Sequence, residues 1–340
     1  RLCRCQPRAR LKERISMRFQ NSLPDINVDL EISFLIDFIR QQAGKVYNRD
    51  GIVVGISGGV DSAVTAALSL KAVGRENLIA LIMPEKESNP ISEELARELA
   101  ETFSLKTERR DLTPILDSWG IYDLRNSIVQ KYFPDFDGSQ KWKLVQPGSF
   151  IDSESFNYYS IRLERAHGPE SKRINIKDLR TIIGATDLKQ RTRMSLLYQA
   201  AESNNYLVAG TTNLSEAILG FYVKYGDGGV DIEPLAYLFK TYVYQIAQKL
   251  GIPDGIVKRL PSPDTFSAEV SDDEFFFRLP YKILDLFLWA MRDNISAETI
   301  SETLAMDLSK VNRILQDIRH KHEISKHLRQ MPAQPDREIP

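Results

Sequence analysis

Apolar residues along this chain recur at two spacings, and the alternation between those spacings sets the expected architecture. Ile32, Phe34, Leu35, Phe38 and Ile39 sit at mostly helical spacing and stop near a turn sequence, Asn48-Arg-Asp-Gly51. The run Ile52-Val-Val-Gly-Ile56 then reads as a buried strand, and Ala63-Val-Thr-Ala-Ala-Leu-Ser-Leu70 as the helix after it. Asn77-Leu-Ile-Ala-Leu-Ile-Met-Pro84 is a second buried strand, stopped by its proline. Leu95, Leu99 and Phe103 mark one face of a helix expected from Ser92, whose Ser92-Glu93-Glu94 sequence suits a helix start. Residues 105–112 are a third candidate strand. Strands alternating with helices predict an α/β fold with a doubly wound parallel sheet covered on both faces.

From Asp117 to about Arg180 this pattern fails. Tyr122, Tyr132, Phe133, Phe136, Trp142, Phe150, Phe156, Tyr158 and Tyr159 are scattered among Pro, Gly, Ser and charged residues. So long a non-repeating stretch inside a compact domain is usually a lid or interaction segment, and its aromatics argue against full disorder. Residues 117–180 are therefore read as a partly structured insertion. Periodicity returns at Thr186, where Met194, Leu197, Tyr198 and Ala201 mark a helix. Tyr206-Leu-Val-Ala-Gly210 is a short core strand followed by the polar triplet Thr211-Thr-Asn213. In open α/β sheets ligands bind beyond the carboxyl ends of strands, where this triplet falls. A helix from Leu214 carries Glu216, a glycine-rich charged loop spans 221–231, and a helix over 237–250 is capped by Gly251 with Pro253 beyond. Further helices are expected over 279–291, 295–306 and 308–322. The last two resemble a helix-turn-helix, with a plain packing hairpin as the competing reading. The expected organisation is an α/β domain of residues 17–116 and 181–265, the insertion, and C-terminal helices with a tail over 266–340.

Composition adds exclusions. At 340 residues, with 42% apolar and 27% charged residues, the chain has the balance of an ordinary soluble globular protein. A net charge of −1 gives no global attraction to nucleic acid or anionic membrane. No apolar run approaches the roughly 20 residues that cross a bilayer. The two cysteines, Cys3 and Cys5, offer neither a disulfide framework nor a zinc site, and a reducing cytoplasm is expected. In residues 1–16 Arg1, Arg4, Arg8, Arg10, Lys12 and Arg14 face one acid, Glu13. This stretch lacks the apolar centre of a secretory signal. It reads as a disordered or non-native leader, with Met17 as a candidate start.

The chemistry concentrates in Gly55-Ile-Ser-Gly-Gly-Val-Asp-Ser62, between the first strand and its helix. Gly58 and Gly59 can take backbone angles closed to other residues and let an anion approach the main chain. The first amides of the following helix have no partner within it and carry partial positive charge. The turn is thus a phosphate cradle, but not a Walker A loop, whose Gly-Lys-Ser/Thr is missing. Asp61 at the helix start can hold magnesium against phosphate oxygens. The stretch resembles the pyrophosphate-binding loop, Ser-Gly-Gly-x-Asp-Ser, of the N-type ATP pyrophosphatases. That resemblance implies an adenine nucleotide alpha-hydrolase-like fold and cleavage of ATP to AMP and pyrophosphate.

Later blocks narrow the resemblance. Gly210-Thr-Thr-Asn-Leu-Ser-Glu216, Gly220-Phe-Tyr-Val-Lys-Tyr-Gly-Asp-Gly-Gly-Val-Asp-Ile-Glu-Pro-Leu235 and Lys240-Thr241 resemble the NAD synthetases. So do Lys189-Gln-Arg-Thr-Arg-Met194 and His327-Leu-Arg-Gln-Met-Pro-Ala333. The resemblance implies ATP-dependent amidation of deamido-NAD through an acyl-adenylate. It implies ATP contacts from Gly55, Ile56, Ser57, Gly58, Gly59, Val60, Asp61, Ser62, Thr211, Lys240 and Ser262, with Asp61 and Lys240 as the catalytic pair. Asp61 and Glu216 would hold Mg2+, and Arg191, Lys224, Asp231 and His327 would hold deamido-NAD. A homodimer with substrate at its interface is implied too. Leu328 stands where the tail motif usually has lysine, Ser262 where threonine is commoner, and the insertion is absent from compact members. No cysteine follows Cys5, so free ammonia, or ammonia from a separate glutaminase, is the expected nitrogen source. Two alternatives remain open at this point: a ligase adenylating another acid, and a DNA-binding regulator using the C-terminal helix pair.

Overall fold

The computed structural model describes residues 19–152 and 157–335. The basic leader and Phe156 lie outside the described residues. Helix α1 (Val28–Gln41) is capped by Asn27, whose side chain accepts from the Leu30 amide, and buries Leu35 and Ile39. Strand β1 (Gly51–Gly55), helix α2 (Val60–Val73) and strand β2 (Leu78–Ile82) follow, with β2 buried throughout. Helix α3 (Pro90–Thr102) begins before the Ser92 start expected from sequence. The Asn89 side chain accepts from the Ile91 amide and Pro90 presets the first-turn φ, so this pair nucleates the helix. The third strand shrinks to an edge strand, β3 (Thr107–Arg109).

The irregular stretch is a folded unit. It holds α4 (Thr113–Ser118), α5 (Ile121–Tyr132) and strands β4 (Trp142–Val145), β5 (Ser160–Leu163) and β6 (Glu170–Arg173). The strands form an antiparallel sheet in the order β4-β5-β6. Phe133, Phe136, Trp142, Ile161 and Leu163 make a core of their own, closed by Ile182, Phe266 and Val270 from outside. Helix α6 (Ile176–Asn204) begins ten residues before Thr186. Its first turns pack Leu179, Ile182 and Ile183 on the insertion, so their apolar spacing answers to a partner that the main sheet does not supply.

Strand β7 (Tyr206–Ala209) completes a parallel sheet of order β3-β2-β1-β7. Alternate residues divide between its faces. Ile52, Val54, Ala80 and Ile82 join the core under α1 and α2, whereas Val53, Ile79 and Leu81 join Ala200 and Ala201 of α6 on the other side. The chain continues through α7 (Leu214–Leu219), α8 (Lys240–Leu250), α9 (Asp254–Val257) and α10 (Tyr281–Arg292). Helices α11 (Ala297–Leu304) and α12 (Leu308–Ile324) bury Ile300, Val311, Ile314 and Ile318 in the main core. The pair is a packing hairpin. No helix among the described residues is long and apolar enough to cross a membrane.

A buried ionic cluster joins the insertion to the sheet domain. Lys189 of α6, fully buried, donates to Glu85 (2.7 Å), Glu87 (2.6 Å) and the Thr265 carbonyl (3.0 Å). Arg125 of α5 pairs with Glu87 and donates to the same carbonyl at 2.9 Å, and the Tyr122 hydroxyl donates to Glu85 at 2.6 Å. Burial, aided by the neighbouring Arg125 and opposed by the two acids, pulls the Lys189 ammonium down to about 8. Removing one partner strands the others in a medium that solvates charge poorly. Lys189→Met is expected to lower unfolding free energy by about 3–5 kcal/mol, measured by urea denaturation; a change below about 1 kcal/mol would show the cluster to be dispensable.

Candidate active site

The glycine loop leaves the carboxyl end of β1 and turns into α2. Gly58 has φ +73°, and a Cβ there would lie 2.5 Å from the Ser92 carbonyl oxygen. That glycine lets the turn pack on the start of α3, and it faces away from the neighbouring cavity. Gly59, by contrast, is extended (φ −96°, ψ 155°), an ordinary helix N-cap geometry. Only one of the two glycines therefore needs angles closed to other residues. Gly59 instead keeps the main chain bare on the cavity side, where a Cβ would meet only Ser57 Oγ, at 3.3 Å. The Ser62 hydroxyl closes the turn, accepting from the Ser57 amide (3.2 Å) and donating to the Gly59 carbonyl (2.9 Å).

A cavity of about 830 Å³ opens beyond this loop. The other seven loop residues line it, as do Thr211, Glu216, Lys240, Ser262, Arg191, Lys224 and His327. Seven separate chain segments thus converge on one space, at the carboxyl ends of β1 and β7 where the sheet order predicts it. Asp231 does not line it. Its carboxylate accepts from the Val208 amide (2.8 Å) and the Tyr198 hydroxyl (3.0 Å), which fixes strand β7. Lys224 holds the tail, donating to the carbonyls of His327 (2.8 Å) and Gln330 (2.9 Å). Leu328 stands in the cavity wall.

At the floor, the Lys240 ammonium contacts Asp61 and lies 3.3 Å from Glu216. Asn213 braces both acids: its amide nitrogen donates to Asp61 at 3.0 Å, and it shares a capping box with Glu216 at the start of α7. Buried Asp285 in turn holds the first turn of α8, accepting from the Thr241 amide (2.8 Å) and hydroxyl (2.6 Å) and the Ser215 hydroxyl (2.5 Å). Burial disfavours the Lys240 charge, but Asp61, Glu216 and Asp272 outweigh it and hold the ammonium well above its usual range. Burial raises Glu216 above the carboxylate range, with Lys240 opposing and Asp61 and Asp272 adding. Asp272 and Tyr281 escape sequence reasoning. Asp272 sits in Ser271-Asp-Asp-Glu274, a run indistinguishable from a solvated loop.

A second group of acids lies toward the tail. Burial pushes Asp187 and Asp227 up to about 6 each, and Glu233 to about 7 with Asp227 adding. Among the described residues no three His, Cys, Asp or Glu side chains stand close enough to hold a metal ion by themselves. Asp61 and Glu216 nevertheless share one cation, the lysine ammonium, and two hard carboxylates beside a phosphate cradle suit magnesium completed by phosphate oxygens and water.

The family model described as NAD synthase matches residues 31–128 and 146–332. An NH3-dependent NAD+ synthetase of Rhizobium meliloti (strain 1021) is 36% identical over 312 residues, covering 91% of this chain and 93% of that protein. Its counterpart from Thermotoga neapolitana is 37% identical over 289 residues, covering 83% and 90%. Among solved structures, the NH3-dependent NAD synthetase of Campylobacter jejuni, in complex with a nitrate ion, gives a TM-score of 0.61 at 23% identity, covering 92% of this chain and 100% of that one. The NMN synthetase of Francisella tularensis gives 0.63 at 22% with the same coverage. These two share the fold.

The glycines are expected to separate stability from binding. Gly58→Ala should cost at least about 1–2 kcal/mol of unfolding free energy, because L side chains resist its backbone angles and the new methyl meets a carbonyl. Gly59→Ala should leave stability nearly unchanged while weakening nucleotide binding in calorimetry. The raised acids add a pH signature. Asp187, Asp227 and Glu233 keep protons to higher pH in the fold than in the unfolded chain. Their contribution to stability is therefore full below about pH 4 and is lost as pH rises through 6 to 7. The ligand-free melting temperature should fall between about pH 5.5 and 7.5, and Asp227→Asn should flatten the slope; a rise across that window would contradict the assignment.

Proposed function

The chain belongs to the NAD synthase family, and we propose that this cavity makes NAD from deamido-NAD, ATP and ammonia, releasing AMP and pyrophosphate. The activity is that of a carbon–nitrogen ligase. A carboxylate is a poor acyl donor because its leaving group would be oxide. A nicotinate carboxylate oxygen therefore attacks the α-phosphorus of ATP, the bond to pyrophosphate breaks, and an acyl-adenylate forms. The ammonia lone pair then adds to the acyl carbon, the carbon–oxygen bond to AMP breaks, and ammonia's surplus proton leaves. No side-chain nucleophile is required. The demands are in-line positioning and neutralisation of charge spreading over phosphate oxygens.

The observation that carries this reading is the Lys240 ammonium shared by Asp61 and Glu216 beside the bare main chain of Gly59. The first amides of α2 and the Gly55–Ser62 loop are assigned to the phosphates, with Gly58 shaping the turn from behind. Thr211 and Ser262 are assigned to ATP, Arg191 to the anionic dinucleotide, and His327 to the closing tail. Lys224, which orders that tail by its two carbonyl contacts, and Asp231, whose carboxylate also fixes strand β7, are assigned to deamido-NAD. Asp61 and Glu216 would hold Mg2+, which when bound supplies positive charge for the polyphosphate. A cytoplasmic homodimer, fed with ammonia from solution or from a separate glutaminase, completes the proposal. The hairpin packing of α11 and α12 favours this reading over a DNA-binding one.

Purified protein given deamido-NAD, ATP, magnesium and ammonium chloride is expected to form NAD, and far less with glutamine replacing ammonium. Asp61→Asn and Lys240→Met should each lower kcat/KM by about 100-fold or more with the circular dichroism spectrum unchanged. Absence of NAD, with AMP and pyrophosphate released in the presence of another acid, would move the chain to a different substrate.

A further inference from the structure

Asp272 has a place in the site that its sequence context does not announce. It lines the cavity, is only 5% exposed, and its main-chain amide is pinned to the Pro261 carbonyl at 3.0 Å. One carboxylate oxygen, Oδ2, accepts from the Tyr281 hydroxyl at 2.9 Å. That hydroxyl also lies 3.1 Å from Glu216 Oε1, and because its single proton serves one acid at a time, Asp272 and Glu216 share Tyr281 as a common neighbour, with Glu216 in turn 3.3 Å from the Lys240 ammonium. Its other oxygen, Oδ1, is buried without a partner. An unpartnered buried carboxylate oxygen is costly, and it persists where something absent from the free fold is meant to meet it.

Charge identifies that partner. Asp61, Glu216 and Asp272 all act on one lysine, Lys240. Three carboxylates against one ammonium leave two negative charges in excess when all are ionised, which one divalent cation cancels. The three acids do not stand close enough to ligate one ion directly, so Asp272 reaches it through an intermediary. Magnesium keeps several waters when it binds phosphates, and a metal-bound water offers the donor that Oδ1 lacks. We propose that Asp272 is the outer-sphere carboxylate of the divalent-cation site, accepting from a metal-bound water through Oδ1 and fixing the Tyr281 ring beside Glu216 through Oδ2. It is a positioning residue: it touches neither phosphate nor the reacting carbon. Partners of this kind, one bond beyond the ligands, orient the ligands and tune affinity.

The proposal rests on Asp61 and Glu216 as the metal-holding pair, and the test separates the two claims. Mn2+ binding to the full-length protein is titrated by electron paramagnetic resonance with saturating α,β-methylene-ATP. Asp272→Asn, which keeps an acceptor for Tyr281, should raise the Mn2+ dissociation constant by about 10-fold or more, whereas Asp254→Asn on exposed α9 should not change it. Melting adds a readout of opposite sign. Without metal, Asp272→Asn removes surplus negative charge and should leave the melting temperature unchanged or higher; with Mg2+ and analogue, it should shrink the ligand-induced gain. A dissociation constant within twofold of wild type, or an equal loss of melting temperature with and without metal, overturns the role of Asp272. Wild-type Mn2+ affinity in Asp61→Asn would instead overturn the pair it builds on. If Asp272→Asn does not fold, Tyr281→Phe decides in the same titration: weaker Mn2+ binding supports the link, and unchanged binding overturns it.

Discussion

One buried ammonium group organises the catalytic floor. Lys240 sits at the first position of α8 and meets Asp61 from the start of α2 and Glu216 from the start of α7. Its two ion pairs hold three helix starts around one point; α7 and α8 spend their first amides on Asn213, Ser215 and Asp285, and the first amides of α2 stand beside the cavity. An isolated buried lysine would shed its proton, and an isolated pair of buried acids would take one up. Together they keep the ammonium charged, while burial still favours a proton on Glu216, and carboxyl groups outnumber the cation. The metal-bound polyphosphate proposed for this site would supply the missing positive charge: the floor holds itself together without ligand and has carboxyl groups to spare for one.

The second ionic cluster works differently. Lys189, Arg125, Glu85 and Glu87 are enclosed, and both cations donate to one main-chain carbonyl, that of Thr265. The carbonyl belongs to the segment that carries Ser262 past the cavity. The wall that carries Ser262 is therefore fixed to α6 and to the helix α5 by charge-assisted bonds, which tolerate less displacement than apolar contacts. The insertion is structural support for that wall. Its position in the chain suggests a lid, but its buried contacts make it a buttress.

Legibility from sequence followed the length of the interaction. Strand β1, its glycine turn and α2 were readable because their signals are local: an apolar run, glycines, an acid at a helix start. The insertion was unreadable because its strands are short and its core takes Ile182, Phe266 and Val270 from distant segments. For the same reason α6 seemed to start at Thr186. Most of the residues named through the joint spacing of family blocks line one cavity; such spacing records proximity without stating its geometry. Gly58 and Asp231 show the limit. Both sit within those blocks, yet one packs behind the loop and the other fixes a strand. Asp272 lies outside the blocks in an acidic run, and only folding reveals that Tyr281 carries it to Glu216.

The two ends of the cavity differ in how they are held, and their chemical tasks call for the difference. At the phosphate end, ion pairs, a capping box and Asp285 fix side chains on helix starts. In the proposed adenylation charge develops there, and donors already aimed at it need no rearrangement as it appears. At the tail end, Lys224 and Arg329 grip main-chain carbonyls: Lys224 those of His327 and Gln330, and Arg329 those of Ala217, Ile218 and His322. These are exposed hydrogen bonds, individually worth little because water can replace them. A segment held in this way can be released and re-formed without disturbing the core, which suits the dinucleotide proposed to bind at this end. Rigid charge at one end and an exchangeable polar latch at the other follow from one requirement: the reaction centre must not move, and the substrate must.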